Sequence, residues 1–196
     1  MPQAESHTFS DVYPKVLSEI TSVLTNVDNR EIDIFAEQIV GAHRIIVHGA
    51  GRVGMAIRGF AMRLGHLGFR VHTLGDSTVP NIAKGDLLII ASGSGETQTI
   101  FDIAQLGKRN YAGLALITGN KLSRIGLIAD TVIVMKSASS TNPINGVRSM
   151  QPMTTLNEQC LSILFDATVL ILIKLRYHNL LLNSKFLQYI LMALHR

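Results

Sequence analysis

The chain has 196 residues, 47% hydrophobic and 16% charged, a balance that excludes an intrinsically disordered chain and suits one domain with a sizeable core. A formal net charge of +4 without a dense basic run is weak for nucleic-acid binding and suits a phosphorylated small molecule. The single cysteine, Cys160, excludes an internal disulfide and a multi-cysteine metal site, and none of the seven histidines has metal-ligand spacing with a carboxylate partner.

In chain order, Ser10 is expected to cap a first helix with apolar Val12, Val16, Ile20, Val23 and Val27, with Pro14 in its first turn, where a missing N–H costs little. Asp28 and Glu31 have capping-box spacing for a second helix that carries Ile32, Phe35, Ile39 and Val40. Alternation follows: a strand over 44–47, a helix over 55–67 stopped by Gly68, strands over 69–74 and 87–91, a helix over 97–108, a strand over 114–118, a short helix over 123–129 and a strand over 131–135. Near-continuous apolar strands separated by helices imply an α/β fold with a parallel sheet covered on both faces. A loop over 136–151, rich in Ser, Asn and Gly, leads through Pro152 into a long helix to Lys174, and a last amphipathic helix is expected over 183–194.

The chain thus reads as one domain over 1–196, with N-terminal helices over 10–42 and C-terminal helices over 152–194 packed on it or forming an oligomer interface. The N-terminus lacks the basic start and apolar core of a signal peptide. The most apolar segment, 161–173, is short for a membrane span and contains Asp166, so a cytoplasmic location is expected.

Two glycine-rich loops carry the chemistry. His48-Gly49-Ala50-Gly51-Arg52-Val53-Gly54 follows the first strand, and Ser92-Gly93-Ser94-Gly95-Glu96-Thr97 follows the third. Each leads from a strand into a helix, where glycine lets the backbone approach a ligand and the first helical N–H groups have no internal partner. Gly49, Gly51 and Gly54 also fit G-x-G-x-x-G, with Asp76 about twenty residues on, so a nicotinamide-binding oxidoreductase must be weighed. That reading leaves the second, hydroxyl-rich loop without a role. A strand order of 2-1-3-4-5 uses both, because the first and third strands are then neighbours and the loops open into the crevice at the switch point.

At these residues the chain resembles the sugar isomerase (SIS) domain family. The ordered set Gly49-Ala50-Gly51-Arg52-Val53-Gly54, Phe60 to Phe69, Gly85 to Ile89, Ser92 to Thr97 and Pro152-Met153-Thr154-Thr155-Leu156-Asn157-Glu158 resembles its 6-phospho-3-hexuloisomerase branch, over roughly 30–175. The resemblance implies a flavodoxin-like three-layer sandwich with a five-stranded parallel sheet, a homotetramer, and neither metal nor organic cofactor. It also implies interconversion of 3-hexulose 6-phosphate and fructose 6-phosphate, in the ribulose monophosphate pathway. Two stretches depart from the branch: Val53 stands where it usually has Ser, and the tail from Phe186 to Arg196 lacks the usual Arg-His-x-Asn-Leu ending, whose letters occur earlier at Arg176-Tyr177-His178-Asn179-Leu180.

Moving a carbonyl between C3 and C2 needs a proton taken from one carbon and returned to the next, which one carboxylate can do. Glu158 matches the family's proton acceptor, although a carboxylate in a first helical turn is also favoured by the dipole alone. Ser92, Ser94 and Thr97, with the N–H groups of Gly93, Gly95 and Glu96, would bind the phosphate, or else serve as turn and cap residues. Arg52 would contact the substrate, and His66, late on its helix, would reach the site or a neighbouring subunit, or only pack. The competing function is a sugar-phosphate-binding regulatory protein without turnover.

Overall fold

The computed structural model describes residues 8–136 and 149–180, the last four by backbone alone. Its element order is α1 (Phe9–Leu24), α2 (Asn29–Gly41), β1 (Ile45–Gly49), α3 (Gly51–His66), β2 (Val71–Thr73), β3 (Leu87–Ala91), α4 (Gln98–Arg109), β4 (Gly113–Thr118), β5 (Thr131–Val134) and α5 (Thr155–Leu180). The five strands pair in parallel in the order β2-β1-β3-β4-β5.

Side chains alternate across a strand, so each apolar run feeds two cores. On one face, Ile45, Val47, Ile89 and Ile117 pack with Phe35 of α2, Phe60 of α3 and Leu161 and Phe165 of α5. On the other, Ile46, Leu88, Ile90, Leu114 and Leu116 pack with Ile100 and Ala104 of α4, and with Ile82 and Ile125. Phe60 and Phe165 stack with ring centroids 4.4 Å apart, joining α3 to α5.

Several expected boundaries shift for local reasons. Thr8, not Ser10, caps α1: its side chain accepts from the Asp11 N–H while Asp11 reaches back to Thr8, a complete capping box. Pro14 therefore falls in the second turn of α1 rather than the first. Asp28 caps α2 by accepting from the Arg30 N–H, but Glu31 turns away to Lys121 (3.2 Å) and the Val134 N–H (3.3 Å), tying α2 to the far edge of the sheet. Val40, expected on the buried face, is exposed. The expected helix over 123–129 is a series of turns.

The helix after Pro152 runs 26 residues, so length and apolarity alone would let it cross a membrane. Burial accounts for that apolarity: Leu156, Cys160, Leu161, Leu164, Phe165, Val169 and Leu172 face the core. Burial also pushes the Cys160 thiol up to about 11, so it stays protonated, as a small core hydrophobe does. The last expected helix, over 183–194, lies outside the described residues.

Candidate functional site

The site starts where β1 and β3 lie side by side with Gly49 opposite Ala91. From there α3 leaves over one face of the sheet and α4 over the other, which opens a crevice at the carboxyl ends of the strands. The first glycine trio closes that turn. Gly51 has φ +56°, and a Cβ on Gly54 would lie 2.4 Å from the Gly49 carbonyl oxygen, so the first turn of α3 sits directly on the end of β1. Strand-to-helix packing at Gly49 and Gly54 and the positive φ of Gly51 thus account for the G-x-G-x-x-G spacing. Asp76, which would bind a ribose in the nicotinamide reading, stands 3.7 Å from Arg58.

The second loop has a more specific geometry. Ser92 is buried, and its hydroxyl accepts the Gly95 N–H at 3.2 Å; the Ser94 hydroxyl accepts the Glu96 N–H at the same distance. Both serines therefore shape the turn, one of their two expected roles. Thr97 differs: it occupies the N-cap position of α4, yet its side chain makes no capping hydrogen bond. The Glu96 carboxylate turns to Arg124, accepting its N–H and its Nε, both at 2.9 Å. The loop carbonyls point the same way. Gly93 accepts from Gly119 at 2.9 Å and from the Thr118 hydroxyl at 3.3 Å, and Gly95 accepts from Ile125 at 3.3 Å.

The start of α5 forms the third wall. Thr155 donates its hydroxyl to the Pro152 carbonyl at 2.7 Å, tightening the entry, and Glu158 falls in the first turn. Buried Asn157 lies against the loop, its Nδ2 3.4 Å from where a Cβ on Gly93 would stand. Next to it, Glu158 faces Arg52 in the first turn of α3. Arg52 Nη2 donates to Oε1 at 2.9 Å and Nε pairs with Oε2, a two-pronged contact that raises the guanidinium further above its already high value. From this pair a cavity of about 600 Å³ runs between α3 and α5, lined by Met55, Gly59, Phe60, Ser162 and Asp166.

The fold thus brings Arg52, Glu158 and the 92–97 loop to one crevice, but not His66. His66 is exposed at the last position of α3, about 21 Å from Arg52 at the ordinary helical rise, towards the amino ends of the strands. Sequence reasoning passed over two participants. Asn157 stood inside a quoted motif with no role, and Arg124 lay in a stretch read as a short helix, with no motif to single it out. Among the described residues, no group of three or more His, Cys, Asp or Glu could hold a metal ion.

A model of the SIS domain matches residues 38–163. The chain belongs to the SIS domain family. This SIS domain is 38% identical over 156 residues to a 3-hexulose-6-phosphate isomerase of Bacillus subtilis, covering 80% of this chain and 84% of that one. It is 38% identical over 152 residues to the enzyme of the same name from Mycobacterium gastri, covering 78% and 76%. It also superposes on a solved Methanococcus jannaschii structure from which a 3-hexulose-6-phosphate isomerase function was inferred, with TM-score 0.70 and 30% identity over 82% of this chain and 88% of that one.

Proposed function

We propose that this SIS domain interconverts 3-hexulose 6-phosphate and fructose 6-phosphate, with Glu158 as the base. The observation that carries this reading is the placement of Glu158 at the head of α5, where its carboxylate meets Arg52 of the first glycine loop and its neighbour Asn157 lies against the second. The two curated relatives above bear the name of that activity.

The chemistry follows from what stands where. The 92–97 loop and the N-terminus of α4 hold the phosphate, with the Thr97 hydroxyl as a side-chain donor. Glu158 takes the proton from C2 of the 3-ketose, the C3 oxygen gains a proton, and an enediol results. The carboxylic acid then returns its proton to C3 as the O2 proton departs, leaving the carbonyl at C2. Arg52 holds both oxygens of Glu158, so it must give up at least one when substrate arrives, and the oxyanion of the enediol offers it a second anionic partner.

The protein works as a homo-oligomer, a tetramer by resemblance, in the cytoplasm. Exposed Met55 and Met62 on α3 and Leu170 on α5 support an interface, as do Phe9, Tyr13 and Leu17 along one side of α1. A neighbouring copy is then the route by which His66 reaches a site and moves a proton between O2 and O3.

The test is isomerisation of fructose 6-phosphate by the purified protein, with solvent deuterium entering the sugar. One observation favours a second reading: the Arg52 contact leaves neither Glu158 oxygen unpaired, as suits a protein that binds sugar phosphate without turning it over. Binding without deuterium exchange would establish that alternative. The nicotinamide reading has the least support, since packing explains its glycines; a thermal shift on adding NAD would revive it.

A further inference from the structure

A phosphate-binding loop that carries a carboxylate poses an electrostatic problem. Glu96 sits between Gly95 and Thr97, and an unpaired carboxylate there would repel a dianionic substrate. We propose that Arg124 is a positioning residue for sugar-phosphate binding: it neutralises Glu96 and helps draw the loop carbonyls away from the ligand. The proposal rests on the assignment of the 92–97 loop as the phosphate site.

Three observations carry it. Arg124 gives Glu96 its backbone N–H and its Nε, both at 2.9 Å, and gives the Glu96 carbonyl its Nη2 at 2.6 Å. Its remaining terminal nitrogen, Nη1, donates to Gln98 Oε1 at 2.9 Å, reaching into the first turn of α4. The guanidinium lies 4.7 Å over the Phe101 ring, which fixes its plane. One side chain therefore spans loop, cap and helix.

The surrounding backbone reinforces the same orientation. The Gly93, Gly95 and Glu96 carbonyls all accept from the 118–125 segment. Gly95 has φ +67°, and a Cβ there would lie 2.1 Å from the Ser123 hydroxyl, so the loop and the segment behind it are in direct contact. With its carbonyls drawn to that side, the loop offers its other face to an anion. The Arg124 and Glu96 side chains are 43% and 44% exposed, so their pairing contributes little to stability, and its effect falls on binding.

The test uses the full chain, with isomerase kinetics beside calorimetric binding of fructose 6-phosphate. Arg124→Ala should raise KM and Kd about tenfold or more, with kcat largely kept and the melting temperature little changed. Adding Glu96→Gln to Arg124→Ala should recover much of that loss, because the unneutralised carboxylate is gone; a purely structural Arg124 would show no such rescue. Arg124→Lys, which keeps the charge without the fork, should fall between wild type and Arg124→Ala, and it serves if Arg124→Ala does not fold. Unchanged KM in Arg124→Ala beside an active wild type, or failure of Glu96→Gln to rescue, overturns the proposal alone. A wild type that binds no sugar phosphate overturns it together with the assignment of the loop.

Discussion

Arg52 and Glu158, 106 positions apart, meet as the first turns of α3 and α5 converge, with two guanidinium nitrogens on the two carboxylate oxygens. The pair orients the proposed base before substrate arrives, and it sets what each partner's removal should do. Glu158→Gln keeps size and polarity but cannot accept a proton. It should lower kcat about 10²-fold or more while fructose 6-phosphate affinity changes little. Solvent deuterium should enter the sugar with the wild type and much more slowly with the variant. A variant that keeps wild-type kcat would make Glu158 only a helix-end stabiliser.

The two hydroxyl types of the phosphate loop should separate. Thr97 makes no capping bond, so Thr97→Ala should weaken sugar-phosphate binding roughly tenfold or more without lowering the melting temperature. Ser92 is buried and holds the Gly95 N–H, so Ser92→Ala should cost about 1–3 kcal/mol of stability as well as affinity. Calorimetry and thermal unfolding of the two variants would show the split; identical behaviour would contradict it.

Gly54→Ala tests the packing account of the first loop. The added Cβ would lie 2.4 Å from the Gly49 carbonyl oxygen, a backbone atom, so α3 or β1 must shift. Unfolding should show a loss of about 1–3 kcal/mol. A variant as stable as wild type would mean that this glycine is not there for packing.

Acid stability should report on Asp86, at the amino end of β3, opposite the crevice. Burial pushes its carboxyl up, but hydrogen bonds from Arg44 (2.9 and 2.6 Å) and the Ala83 N–H (2.8 Å), with the nearby Arg44 and His43 charges, hold it below the ordinary carboxylate value. The unfolded chain therefore takes up this proton at higher pH than the folded one. The stabilisation is complete above the ordinary carboxylate range and is lost as pH falls through it towards the lower folded value. Asp86→Asn should be less stable at neutral pH by about 1–3 kcal/mol and should lose less stability between about pH 5 and pH 2, as read by denaturant unfolding.

Much of this protein was legible in its sequence because strand and helix signals are local. The apolar runs at Ile45-Ile46-Val47 and Leu87-Leu88-Ile89-Ile90-Ala91, each broken by glycine before a helical pattern, specify parallel strands and the loops that open at their ends, and from two such loops the strand order follows. The 92–97 loop was marked by residue type and spacing, and Glu158 by its match to the family's motif. What one chain order cannot express is which polar groups meet across it. Glu31 has the spacing of a cap and instead serves β5; Ser92 and Ser94 have the chemistry of phosphate ligands and also hold their own turn. Arg124 has no motif at all, yet it spans the loop and α4. Those choices belong to the tertiary structure, because a hydrogen bond goes to whichever partner packing brings within about 3 Å, and hydrophobic burial, which has no direction of its own, decides that packing.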